Sequence, residues 1–187
     1  MNLNDFLFSY RTIIKRDLYK KNYLKLVRKI FNYPYKYILN LTRNIFLIKK
    51  INLDKKYFYT GYENFNLDKL FMMFNSDKGS KVNWAGKIIK GHNYSHLYEK
   101  YLSKFKKIKK LNILEIGSLK GSSAASFLLY FDNPRICCLD INPFQIRYFS
   151  KNIRNIFVDT QSKKILNCVA KYLDCEFDII IDDASHN

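Results

Sequence analysis

Long apolar runs are missing from this sequence. In its first quarter the longest is Ile45-Phe46-Leu47-Ile48, far below the roughly 20 residues that span a bilayer. The N-terminus also has no apolar stretch followed by a small-residue cleavage site, as a secretory signal would, so the expected location is the cytoplasm. Cysteine is scarce: Cys137, Cys138, Cys168 and Cys175 form no C-x-x-C pair. That argues against a zinc ribbon or a disulfide scaffold, and the four read as reduced core thiols, the first two on a strand. Acidic residues number 16 against 33 Lys and Arg, leaving a formal charge of +17. There is no internal repeat and no low-complexity block.

What is present is core-forming material. Hydrophobic residues make up 48% of the chain and aromatics 17%, too much for a disordered polypeptide. A length of 187 residues suits one domain with an extension. The charge is uneven. Residues 1–50 hold twelve Lys and Arg against only Asp5 and Asp17, so this quarter reads as a separate basic unit.

From Leu7 to Ile48 apolar residues recur at helical spacing, as at Leu18, Tyr19, Tyr23, Leu26, Val27 and Ile30, with Pro34 interrupting the pattern. This predicts two basic amphipathic helices. Residues 51–66 read as a linker, and a short helix follows from Lys69 to Phe74. Asn75 to Ser80 and Gly91-His92-Asn93 carry turn chemistry, and Tyr94 to Phe105 has helical spacing. Beyond Lys110 the pattern changes. Short apolar runs at Asn112–Ile116, Arg135–Asp140, Ile153–Val158 and Phe177–Asp182 predict strands buried on both faces. Ser122–Tyr130, Phe144–Asn152 and Ser162–Leu173 are long enough for crossover helices. The predicted fold class is α/β: a Rossmann-like, doubly wound parallel sheet, first four strands only, preceded by basic amphipathic helices.

Chemistry concentrates at the strand ends. Glu115-Ile116-Gly117-Ser118-Leu119-Lys120-Gly121-Ser122-Ser123 is a strand end, a glycine turn and a helix start whose free N–H groups favour a carboxylate or phosphate. Asp140 closes the second strand, where such folds set an acid against ribose hydroxyls. Asp159, after the third strand, could reach an adenine edge. Asp182-Asp183-Ala184-Ser185-His186 follows the fourth strand, so Asp182, Asp183 and His186 would converge on the same crevice. Asp183 and His186 could ligate a divalent metal or pair as carboxylate and base.

These residues, with Asp77-Lys78-Gly79 and His92-x-Tyr94-x-x-x-Tyr98 upstream, resemble class I S-adenosylmethionine-dependent methyltransferases of the cephalosporin hydroxylase and macrolide sugar O-methyltransferase type. The resemblance covers about residues 67–187. It implies S-adenosylmethionine as cofactor, with Gly117 and Gly121 near its methionine moiety and Asp140 on its ribose. Glu115, Ser118, Ser123, Asp159, Asp182 and Tyr94 complete the implied cofactor site. It further implies Mg²⁺ at Asp183, His186 as general base and a small sugar-like acceptor, not a nucleic acid. Ala184 stands where the group commonly has glycine. Seven strands in the order 3-2-1-4-5-7-6 are implied and four are visible, so the chain is expected to be a C-terminally truncated form whose fourth strand is an edge.

Two other readings compete. One is a non-catalytic nucleoside-binding module of the same fold. The other is an interaction protein that meets a membrane through its basic N-terminus. Single-stranded nucleic acid is disfavoured because the aromatics fall at helix-core spacing, and a homo-oligomer is compatible with the sequence.

Overall fold

A computed structural model describes residues 3–19, 21, 23–43, 50–56, 61–62, 64–141 and 145–184. Two helices open the chain, α1 (Leu3–Tyr19) and α2 (Tyr23–Arg43). They are followed by β1 (Ile51–Asn52), α3 (Leu53–Lys56), α4 (Leu67–Phe74), a hairpin of β2 (Lys81–Trp84) and β3 (Lys87–Lys90), and α5 (Ser95–Leu102). The second half alternates strand and helix: β4 (Asn112–Ile116), α6 (Ser122–Tyr130), β5 (Arg135–Asp140), β6 (Tyr148–Phe149), β7 (Ile153–Phe157), α7 (Lys163–Leu173) and β8 (Ile179–Asp182).

β7, β5, β4 and β8 lie in that order in one four-stranded parallel sheet. In order of appearance these strands run 3-2-1-4, which sends the chain outward from β4 in both directions and leaves a crevice at the carboxyl ends of the central strands. One face packs Ile113, Ile136, Cys138 and Ile181 against Leu70, Phe71 and Phe74 of α4 and Phe127 of α6. The other packs Cys137, Leu139 and Ile156 against Ile165 and Val169 of α7. The fold is the predicted doubly wound α/β sheet with helices on both sides.

Five local expectations differ from the structure. Cys137 and Cys138 are buried free thiols, but Cys168 and Cys175 are exposed and not part of the core. Pro34 does not divide the first two helices: it lies inside α2, and the break comes at Lys21, whose φ is 51°. Proline leaves the carbonyl four residues earlier without its helical donor, and here the Tyr10 hydroxyl donates to that carbonyl, Ile30 O, at 3.2 Å. The helical spacing also does not mark a buried face throughout, since Leu26 is buried while Leu18, Tyr19, Tyr23 and Val27 are exposed.

The predicted crossover helix Phe144–Asn152 is absent over the described residues 145–152. Instead β6 pairs in parallel with β1, so the stretch expected to be a linker contributes a strand and a helical turn. Tertiary packing decides the outcome: Tyr148 is buried edge-on against Phe74, and its hydroxyl donates to Phe74 O at 3.0 Å. Finally, β8 alternates buried and exposed residues, with Ile180 outward, because α7 packs over β5 and β7.

The basic first helix is fastened to the sheet edge. Ser9 Oγ accepts a hydrogen bond from Phe157 N at 3.1 Å, capping an N–H of the edge strand β7. Asp5, buried, accepts from Arg154 Nε at 3.0 Å, Arg154 Nη2 at 2.7 Å and the Tyr172 hydroxyl at 3.0 Å. Phe8 stacks on Tyr172 with ring centroids 3.9 Å apart.

Candidate functional site

A cleft of about 650 Å³ opens at the carboxyl ends of the sheet strands, a size that suits a small organic ligand. Its floor is the turn between β4 and α6. Gly117 N donates to Leu139 O at 2.8 Å and Gly121 N to Ser118 O at 2.7 Å. Both glycines have positive φ, +85° and +75°, but they are needed for different reasons. A Cβ on Gly117 would stand 2.6 Å from Asp183 O, whereas one on Gly121 would meet nothing nearer than Tyr148 O at 3.9 Å. Gly117 therefore serves backbone packing against the end of β8, and Gly121 serves the turn and leaves space above it.

Asp140 is largely buried at the end of β5, and its Oδ2 accepts from Leu119 N at 2.7 Å. The carboxylate thus fastens the glycine turn while lining the cleft. Ser118, Ser123, Asp159 and Asp183 line it too. Glu115 lies beneath, fully buried. Its Oε1 accepts from the Ser123 hydroxyl, while Oε2 has no hydrogen-bond partner among the described residues.

The sequence reading did not place Lys78 in the site. Its ammonium is buried, donates to Asp183 Oδ2 and stands 3.9 Å from Glu115 Oε1. Burial alone would lower its pKa, but Glu115 and Asp183 outweigh that and raise it, so the ammonium persists. Burial raises the Glu115 carboxyl above its ordinary value, against the pull of Lys78 and Ser123. The segment carrying Lys78 is clamped by backbone bonds from His92 N to Asp77 O at 2.7 Å and from Tyr94 N to Lys78 O at 2.8 Å.

Two aromatic residues separate here. Tyr94 lies outside the cleft lining, its ring stacked on His92 with centroids 5.4 Å apart. It serves the site through its backbone. Trp84, which the sequence reading passed over, does line the cleft. It sits at the tip of the β2–β3 hairpin, where Ala85 and Gly86 both take positive φ, 50° and 85°, as a two-residue hairpin turn of the primed type requires. The chain's one tryptophan beside Ala-Gly was the available signal.

The other expected residues are placed as follows. Asp159 forms an ion pair with Arg16 of α1, so the helical extension reaches the cleft wall. Asp182 lies outside the lining, and its Oδ1 accepts from Ala184 N at 3.2 Å. His186 lies outside the described residues. Among the described residues, no group of three or more His, Cys, Asp and Glu could hold a metal ion.

No family model and no curated protein matches the chain. Among solved structures it is similar to two of MycE, a methyltransferase from the mycinamycin biosynthetic pathway. The one in complex with Mg and SAH is 22% identical with a TM-score of 0.48. The one in complex with Mg, SAH and mycinamycin VI is 23% identical with a TM-score of 0.50. Each match covers 67% of this chain and 29% of the MycE chain. The likeness is one of fold: a Rossmann-like, doubly wound parallel sheet.

Proposed function

We propose that the chain carries the cofactor-binding part of an S-adenosylmethionine-dependent O-methyltransferase whose acceptor is a small saccharide or glycosylated molecule. One observation carries this reading: the carboxylate that ends β5, Asp140, is tied to the Gly117–Gly121 turn on the wall of an open cleft. A carboxylate there is suited to a ribose diol, and the turn with the α6 N-terminus to the carboxylate of a methionine moiety. The fold relative's SAH, Mg and mycinamycin VI agree with this assignment.

The bound cofactor would supply an electrophilic methyl group on a sulfonium. The chain's part is to orient it and to accept the proton that the acceptor hydroxyl loses, a role this reading gives to His186. Of the carboxylates that line the cleft, Asp183, the one expected at Mg²⁺, is already paired with Lys78, and among the described residues no three His, Cys, Asp or Glu group as a ligand set.

The test is calorimetric titration of S-adenosylmethionine into the chain, with and without Mg²⁺, using Asp140→Asn and Asp140→Ala. Asn keeps an acceptor for Leu119 N but loses the charge. Hydrogen bonds to a charged group are worth about 1.5–3 kcal/mol, so affinity is expected to fall roughly tenfold to a hundredfold in both. Unchanged affinity in both variants would overturn the assignment.

A further inference from the structure

α2 carries two apolar surfaces, and α1 covers one of them. Leu26 is buried, and Tyr33 stacks on Phe6 with ring centroids 5.8 Å apart. A second stripe, Leu24, Val27, Phe31, Tyr35 and Ile38, recurs at three- and four-residue steps and faces solvent, with Leu24 89% and Phe31 72% exposed. At the tip of the α1–α2 hairpin Leu18, Tyr19 and Tyr23 are exposed as well, Tyr19 at 80%. Scattered apolar residues on a surface need no account, but a continuous stripe along a 21-residue helix does.

The charge around the stripe is of one sign. Lys21, Lys25 and Arg28 are exposed beside it, and there is no acidic residue between Asp17 and Asp54. We propose that the α1–α2 hairpin is a docking surface for an anionic lipid bilayer, with the stripe entering the headgroup region and the cations meeting the lipid charge. Interfacial helices combine the same elements: an apolar and aromatic stripe, Lys and Arg flanking it, and tyrosine at the boundary. A second copy of the chain fits less well, because pairing two stripes brings Lys25 and Arg28 of both copies together. A nucleic acid fits less well because its phosphates offer nothing to Leu24, Val27 and Ile38. Peripheral attachment is meant, since no described helix is long and apolar enough to cross a membrane.

The contact would hold the cleft as well as the helices. α1 is pinned to the sheet by Asp5 with Arg154 and by Arg16 with Asp159, an acid of the cleft wall. The inference does not depend on the methyltransferase reading.

The test is co-sedimentation of the full chain with phosphatidylcholine vesicles and with equimolar phosphatidylcholine and phosphatidylglycerol vesicles. Retention is expected only on the anionic vesicles and should weaken with salt. Each removed cation near the surface should weaken it about fivefold, as in Lys25→Gln or Arg28→Gln. Leu24→Ser with Phe31→Ser should weaken it about tenfold or more through lost apolar burial. These side chains are exposed, so circular dichroism should show the fold unchanged. Undiminished retention of the folded Leu24→Ser/Phe31→Ser variant would overturn the proposal. So would tighter retention on a single-stranded oligonucleotide, or a dimer by gel filtration that this variant abolishes.

Discussion

Replacing Gly117 by alanine is the sharpest probe of how the cleft is built. Two penalties are expected. A φ of +85° is left-handed backbone, which costs an L-residue about 1–2 kcal/mol. The new methyl would also stand 2.6 Å from Asp183 O and 2.8 Å from the Ala184 Cα. These are backbone atoms that cannot swing away, and overpacking of this kind costs about 1–3 kcal/mol. Alanine stiffens the unfolded chain and returns roughly 0.5 kcal/mol. The net loss is about 3 kcal/mol, which for a chain of this size lowers the melting temperature by about 6–12 °C.

Gly121→Ala is the internal control. Its φ is also positive, but its Cβ would find ordinary space, so the loss should be about 1 kcal/mol. Thermal unfolding followed by circular dichroism measures both. Equal losses in the two variants would refute the reasoning, since the close approach of β8 to the glycine turn would then contribute nothing.

Asp68 predicts part of the acid limb of stability. Burial would raise its carboxyl, but hydrogen bonds from the Ser80 hydroxyl, Ser80 N and the Ser95 hydroxyl, with the nearby Lys81 charge, lower it below the ordinary 3.8. A depressed folded-state value means that its contribution is complete above the unfolded value and is lost as pH falls through the folded one. Urea unfolding of Asp68→Asn should therefore show a shallower loss below about pH 4 than the parent chain, and identical slopes would contradict this. Arg154→Met tests the docking of α1. It removes the guanidinium from the buried Asp5 carboxylate, which keeps the Tyr172 hydroxyl among its partners, and because the guanidinium is partly exposed the cost should be about 2 kcal/mol rather than that of a wholly buried pair. An unchanged melting temperature would mean that the ion pair does not hold the helix.

The sequence by itself determined the parallel sheet and the chemistry at its strand ends. Strands flanked by helices on both sides must be apolar along most of their length, so Asn112–Ile116 and Arg135–Asp140 stand out, and their ends fix where Gly117 and Asp140 lie. Tertiary structure alone decided which distant groups join them. Lys78 reaches Asp183 across 105 positions and Arg16 reaches Asp159 across 143. Arg16 is not distinguished locally among 33 Lys and Arg, and the Asp77-Lys78-Gly79 motif marks Lys78 without naming its partner, because an ion pair is selected by the meeting of surfaces and leaves no periodicity in the chain. The same holds for residues 145–152, which β1 draws into a strand pair, and for α2, whose regular spacing marks two apolar faces although α1 is wide enough to cover only one.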